Sequence, residues 1–148
     1  MRISTKGQYA MEAMLAMALA GTEEMVSIHQ IGEQTELSDS YLEQIFSLLK
    51  KAGLVESIRG NKGGYRLAAP AEKITAGSIL RAAEGSLAPV RCTQENDPFC
   101  SNQDSCMTQP VWKLLEMAIS EQVDTVTLAE LCSGFESGNY SSSSDYTI

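Results

Sequence analysis

The chain has 148 residues, 43% of them hydrophobic, with four cysteines and a formal net charge of −8. That length suits one domain with an appendage, and that hydrophobic share builds a core without disulfide staples. No apolar run is long enough to span a membrane and Glu12 interrupts the N-terminal one, so no signal peptide is expected and a cytoplasmic location is, where clustered cysteines bind metal or sense redox state.

In chain order, Ser4 caps a first helix predicted from Thr5 to Ala20, rich in Ala, Met and Leu and stopped by Gly21. After the polar break "GTEEM", Ser27 caps a short helix, "IHQIGEQT", whose Ile28 and Ile31 point inward. Ser38 then caps a third helix that Gly53 terminates. Leu42, Ile45, Phe46, Leu49 and Ala52 form its apolar stripe, and Ser40, Glu43, Gln44, Ser47 and Lys51 lie on the other side. Two helices joined by a few residues, the second polar on its outer face, read as a helix-turn-helix.

The stretch "LVESIRGNKGGYRLAAP" alternates, turns on glycines and resumes, which predicts a hairpin. A helix-turn-helix followed at once by a basic-tipped hairpin is a winged helix. "ITAGSILRAAEG" adds a helix capped by Thr75 and ended by Gly85, and a longer helix runs from Pro110 to about Asp124 with Val111, Leu114, Leu115, Ala118 and Ile119 on one side. "TLAELC" forms a last short helix, and the Ser- and Gly-rich tail is expected to be disordered. The expected fold is mainly α with a small β-hairpin wing. It divides into a winged helix-turn-helix over residues 1–70, completed by a helix over 74–85, a cysteine-rich loop over 86–109, a dimerisation helix and its end over 110–132, and a tail over 133–148.

The acidic total hides a local asymmetry. Residues 50–66 hold Lys50, Lys51, Arg59, Lys62 and Arg66 against Glu56 alone, whereas residues 67–148 hold four basic and eleven acidic residues. A basic stripe on an acidic body suits a local phosphate-binding surface. On the third helix, Gln44 can pair with adenine, the hydroxyls of Ser38, Ser40, Tyr41 and Ser47 can reach bases or phosphates, and Glu43 can accept from a cytosine amino group. Lys51 continues that face. At the wing tip Arg59 is placed to enter the minor groove, and Gly60, Lys62, Gly63 and Gly64 let backbone approach the sugar-phosphate. Arg2 and Lys6 hold flanking phosphates. One module of this size has a short footprint, so a homodimer on a near-palindromic duplex operator is expected, joined through the 110–124 helix.

Cys92, Cys100 and Cys106 crowd into fifteen residues of polar loop. From the residues alone the loop is an iron–sulfur site, a zinc site, a thiol switch or an inert surface segment. Soft thiolates favour iron–sulfur clusters. Cys132 reads as a small buried hydrophobe. No catalytic base, nucleophile or phosphate loop accompanies the cysteines, and the single histidine, His29, is remote from them, so an enzyme is not expected.

The segments "MRISTKGQYAM", "SDSYLEQIFSLLKKAGLVESIRGNKGGYRLA" and "ITAGSILRAAEG" resemble the bacterial regulator family that includes IscR, NsrR and CymR, from residue 1 to about residue 131. The resemblance implies a homodimeric winged-helix transcription factor with crossed C-terminal helices and a sensor loop before them. It implies further that Cys92, Cys100 and Cys106 hold an iron–sulfur cluster, [2Fe-2S] in IscR-like members. The spacing here is Cys92-x7-Cys100-x5-Cys106, with a longer first gap than the IscR pattern, and Gln109 stands where IscR-like members carry a histidine. Gln109, Asp104, and Gln8 or Glu12 of a partner's first helix are the candidates for a fourth ligand. The terminal Tyr146, Thr147 and Ile148 resemble tails that insert into cysteine synthase. The alternative function is therefore a cluster-independent repressor of cysteine metabolism that signals through that enzyme.

Overall fold

The Ser4 hydroxyl accepts the Gly7 N–H and starts helix α1, Thr5–Ala20, which Gly21 ends at a φ of +123°. The computed structural model describes residues 2–94 and 106–137. Helix α2, Ile28–Thr35, opens with a capping box in which Ser27 and Gln30 satisfy each other's backbone N–H. Glu36 ends it in the left-handed region, at a φ of 58°. Helix α3, Asp39–Lys51, is capped by Ser38, and Gly53 turns the chain away at a φ of +76°. Strands β1, Val55–Ile58, and β2, Gly64–Leu67, pair antiparallel with Glu56 opposite Arg66. Helix α4, Ala76–Glu84, carries a second capping box at Thr75 and Ser78. Helices α5, Gln109–Thr125, and α6, Leu128–Glu136, complete the described chain.

The core forms around α1. Its Ala10, Ala13, Met14 and Met17 meet Ile31 of α2, Leu42, Ile45, Phe46 and Leu49 of α3, Ile79 of α4 and Leu128 of α6, all buried. Each such large side chain contributes on the order of 1.5–3 kcal/mol by leaving water. Val55 and Leu67 seal the wing onto this core, and Phe46 stacks on Tyr65 at 4.7 Å between ring centroids. The element order is that of a winged helix-turn-helix followed by a long helix.

Three features differ from the sequence expectation. The connection between the first two helices is more than a polar break: just after "GTEEM", Val26 exchanges two backbone hydrogen bonds with Tyr65, each 2.8 Å, and gives the wing a third edge. Ala52 is exposed and leaves the α3 stripe, because it lies at the cap where the chain turns toward Gly53. The last helix does not stop at residue 132. It continues through Ser133–Glu136, residues assigned above to the tail, because Leu128, Leu131, Cys132 and Phe135 extend the helical spacing beyond the capping box of Thr127 and Glu130.

Helix α5 stands apart, since none of its residues is buried. Val111, Leu114, Leu115 and Met117 are between 44% and 66% exposed. Its attachment to the body is polar: Arg81 of α4 holds Asp124 through Nη1 at 2.6 Å and Nη2 at 3.0 Å, and reaches Ser120 at 3.2 Å. Among the described residues no helix is long and apolar enough to cross a membrane.

Candidate nucleic-acid interface and cysteine segment

The outer face of α3 is built as its pattern requires. Burying Leu42, Ile45, Phe46 and Leu49 forces Ser40, Glu43, Gln44 and Ser47 outward, and all four are exposed. With Leu48 they line a shallow groove that Lys6 of α1 closes, so the N-terminal cation and the polar face of α3 form one surface. Arg2 and Lys6 are exposed. The Ser38 hydroxyl accepts the Tyr41 N–H at 3.3 Å, and its own proton is left to donate. Tyr41 is half-buried: its ring meets Tyr9 edge-on at 5.7 Å, which makes its first duty packing α3 on α1.

The basic segment is more finely divided than its composition suggests. Arg66 is engaged by Glu56 at 3.1 Å, across the strand pair, and lies 3.9 Å from Glu23. Lys50 donates to Ser57 at 2.6 Å and braces the end of α3 against β1. Lys51, Arg59 and Lys62 are exposed, the last two flanking the wing tip. The wing glycines also divide. Gly60 has a φ of +123° with open space around it, the one free to approach a phosphate backbone. A Cβ on Gly63 would strike the Ile58 carbonyl, and one on Gly64 would come within 2.7 Å of the Val26 carbonyl, so these two close the hairpin on the protein's own backbone.

The cysteine segment is described at its two ends. Cys92 lies in a one-turn 3-10 helix, Arg91–Thr93, that packs against α5. Cys106 lies just ahead of α5, its Sγ 3.4 Å from the Thr108 hydroxyl. That hydroxyl first, then the backbone N–H groups of Thr108 and Gln109, hold the Cys106 thiol below its ordinary range. A cysteine sulfur at a helix start, eased toward ionisation, is a donor of the kind an iron–sulfur cluster uses. Cys100, Asp104 and the side chain of Cys92 lie outside what is described, and among the described residues no group of three His, Cys, Asp or Glu is placed to hold a metal. Gln109 opens α5, half-buried, whereas Gln8 and Glu12 are exposed one turn apart on α1. Cys132 is half-buried rather than fully buried as expected, because it lies near the end of α6, and its thiol is pushed up by burial first and by Glu136 second. Tyr146, Thr147 and Ile148 also lie outside the described residues. Sequence reasoning missed Thr108 and the α4 side chains Arg81 and Glu84; a hydroxyl two residues after a cysteine at a helix start was the one visible signal.

Comparison with known proteins agrees with this geometry. The family model described as Rrf2, iron-dependent transcriptional regulator, matches residues 3–134. The HTH-type transcriptional regulator IscR of Vibrio campbellii is 41% identical over 131 residues, covering 88% of this chain and 77% of the relative. Among solved structures, T. potens IscR superposes with a TM-score of 0.74 at 36% identity, covering 93% of this chain and 90% of that one. CymR of B. subtilis, titled the global cysteine regulator, gives 0.72 at 38% identity over 90% and 97%. The cysteine-synthase partner draws no support from these relatives. A polar recognition face, a basic wing and a match over nearly the whole chain place this protein in the Rrf2 family, as a DNA-binding transcriptional regulator rather than an enzyme.

Proposed function

We propose that the chain acts as a homodimer on a near-palindromic duplex operator and reads iron–sulfur cluster supply or redox stress through Cys92, Cys100 and Cys106. The observation that carries this reading is that both described ends of the cysteine segment converge on α5: the Arg91–Thr93 turn packs on it and the lowered Cys106 thiol sits at its start. A cluster held there, [2Fe-2S] by likeness to IscR, would supply a redox-active group that joins the ends of the loop. The chain's own residues do the rest. Cys92, Cys100 and Cys106 offer thiolates, and Gln109, Asp104, Gln8 or Glu12 an oxygen or amide as the fourth ligand. The exposed apolar side of α5 supports pairing with a second copy, which sets the spacing of two α3 helices on the duplex. Joining or releasing the loop then biases how α5 is held against the winged body.

The test is operator affinity of protein purified without oxygen, before and after removal of iron, for the wild type and for Cys92→Ala. Affinity that depends on iron in the wild type and not in the variant supports the reading. A variant that follows the wild type in both states contradicts it. A second reading is favoured by the likeness to the cysteine regulator CymR: a regulator of cysteine metabolism that uses its thiols without a cluster. Wild-type affinity indifferent to iron but changed by a mild oxidant would select it.

A further inference from the structure

Helix α4 makes a contact eighty residues back along the chain. Its last residue, Glu84, accepts two hydrogen bonds on Oε1, from the Ser4 N–H at 2.9 Å and from the Ser4 hydroxyl at 2.6 Å. The same hydroxyl accepts the Gly7 N–H at 3.3 Å and so caps α1. A carboxylate here also meets the positive end of the α1 dipole. Gly7 is fitted to the arrangement: a Cβ there would run into Glu84 Oε1 and come within 2.9 Å of the Ile3 side chain. Three residues thus fix where the chain enters α1. The two cations on either side of Ser4 are Arg2 and Lys6, and Lys6 closes the groove along α3. One turn earlier on α4, Arg81 grips Asp124 of α5.

We infer that Glu84 is a positioning residue of the DNA interface: through Ser4 it sets the entry to α1 so that Arg2 and Lys6 meet the phosphates flanking the groove read by α3. The inference rests on the DNA-binding reading of those two cations. Without the clamp Arg2 and Lys6 keep their charge and lose their fixed place, so each contributes less to binding even though the chain stays folded. Glutamine keeps an oxygen that can accept from Ser4, so Glu84→Gln retains most of the function that Glu84→Ala loses.

The experiment is a double-mutant cycle on the full chain, with a labelled duplex enriched from a random pool by the wild-type protein, titrated across salt concentrations. In the wild-type background Lys6→Ala weakens binding roughly tenfold and lowers the salt slope by about two, one for each copy of the homodimer. In the Glu84→Ala background the same substitution costs about twofold or less, and in Glu84→Gln it costs most of the full amount. Circular dichroism and thermal melting confirm that each variant is folded. A full Lys6 effect in the Glu84→Ala background overturns the inference, whatever Glu84→Ala does to stability. No Lys6 effect in the wild type overturns it too, by removing the phosphate contact on which it rests, and Arg59→Ala measured alongside shows whether DNA binding as a whole stands.

Discussion

The body of the molecule and helix α5 spend their apolar side chains differently. In the body, α1 and α3 bury most of theirs on each other, and the outward face of α3 is polar or charged. On α5 one apolar side stands open: Leu114 is 66% exposed and Met117 56%, and an ion pair between an arginine and an aspartate helps to tie the helix to the body. The first pattern describes a unit complete in one chain. The second fits the pairing with a second copy proposed above, since an exposed apolar helix face favours cover by a partner.

The sharpest way to break the comparison is to damage each half and read a different loss. Phe46→Ala should destabilise the body by about 3–5 kcal/mol, the cost of an uncompensated cavity, and abolish cooperative thermal unfolding if the fold has little to spare. Leu114→Glu should leave the helical content of each protomer intact while sedimentation shows a monomer, and operator affinity should fall by roughly two orders of magnitude as the second half-site contact is lost. A Leu114→Glu protein that remains dimeric would mean that α5 is covered in some other way.

Within the proposed DNA surface the contrast is between Arg59, exposed at the wing tip, and Arg66, engaged by Glu56. Arg59→Ala should weaken binding several-fold and lower the salt slope by about two, one for each copy of the homodimer, whereas Arg66→Ala should move neither by much and cost about 0–1 kcal/mol of stability. The smallest effect lies in thiol chemistry. Cys106 ionises below its ordinary range and Cys132 above it, so iodoacetamide should modify Cys106 at a pH where Cys132 is still protected. The sign for stability follows: the lowered Cys106 contributes above the pH where an unfolded thiol ionises, and that contribution is lost as pH falls through the folded value. Thr108→Ala removes the largest cause of the lowering, so the onset of Cys106 alkylation, followed by mass spectrometry, should move to higher pH.

Much of the body was legible in the sequence because its signals are local. Ser4, Ser27, Ser38 and Thr75 each cap a helix, and the spacing of Leu42, Ile45, Phe46 and Leu49 fixed which face of α3 turns outward. What escaped depends on contacts distant in the chain. A single bridging residue such as Val26 leaves no alternation to notice, and the neutralisation of Arg66 emerges only once the strand register sets Glu56 opposite it. The spacing of Leu114 and Leu115 marked an apolar side of α5 but carried no information on whether the same chain covers it. At the cysteine segment, count and spacing were plain, whereas the asymmetry between Cys106 and Cys132 required the start of α5 and the burial of α6.

The most direct measurement is the visible absorption spectrum of the wild-type protein and of Cys106→Ser, both purified without oxygen, with iron and inorganic sulfide assayed on the same samples. The account predicts sulfide-to-iron charge-transfer bands and matching iron and sulfide in the wild type, and their loss in the variant. A colourless wild-type protein that takes up no iron or sulfide on reconstitution would contradict cluster sensing, and leave a regulator whose cysteines act as thiols.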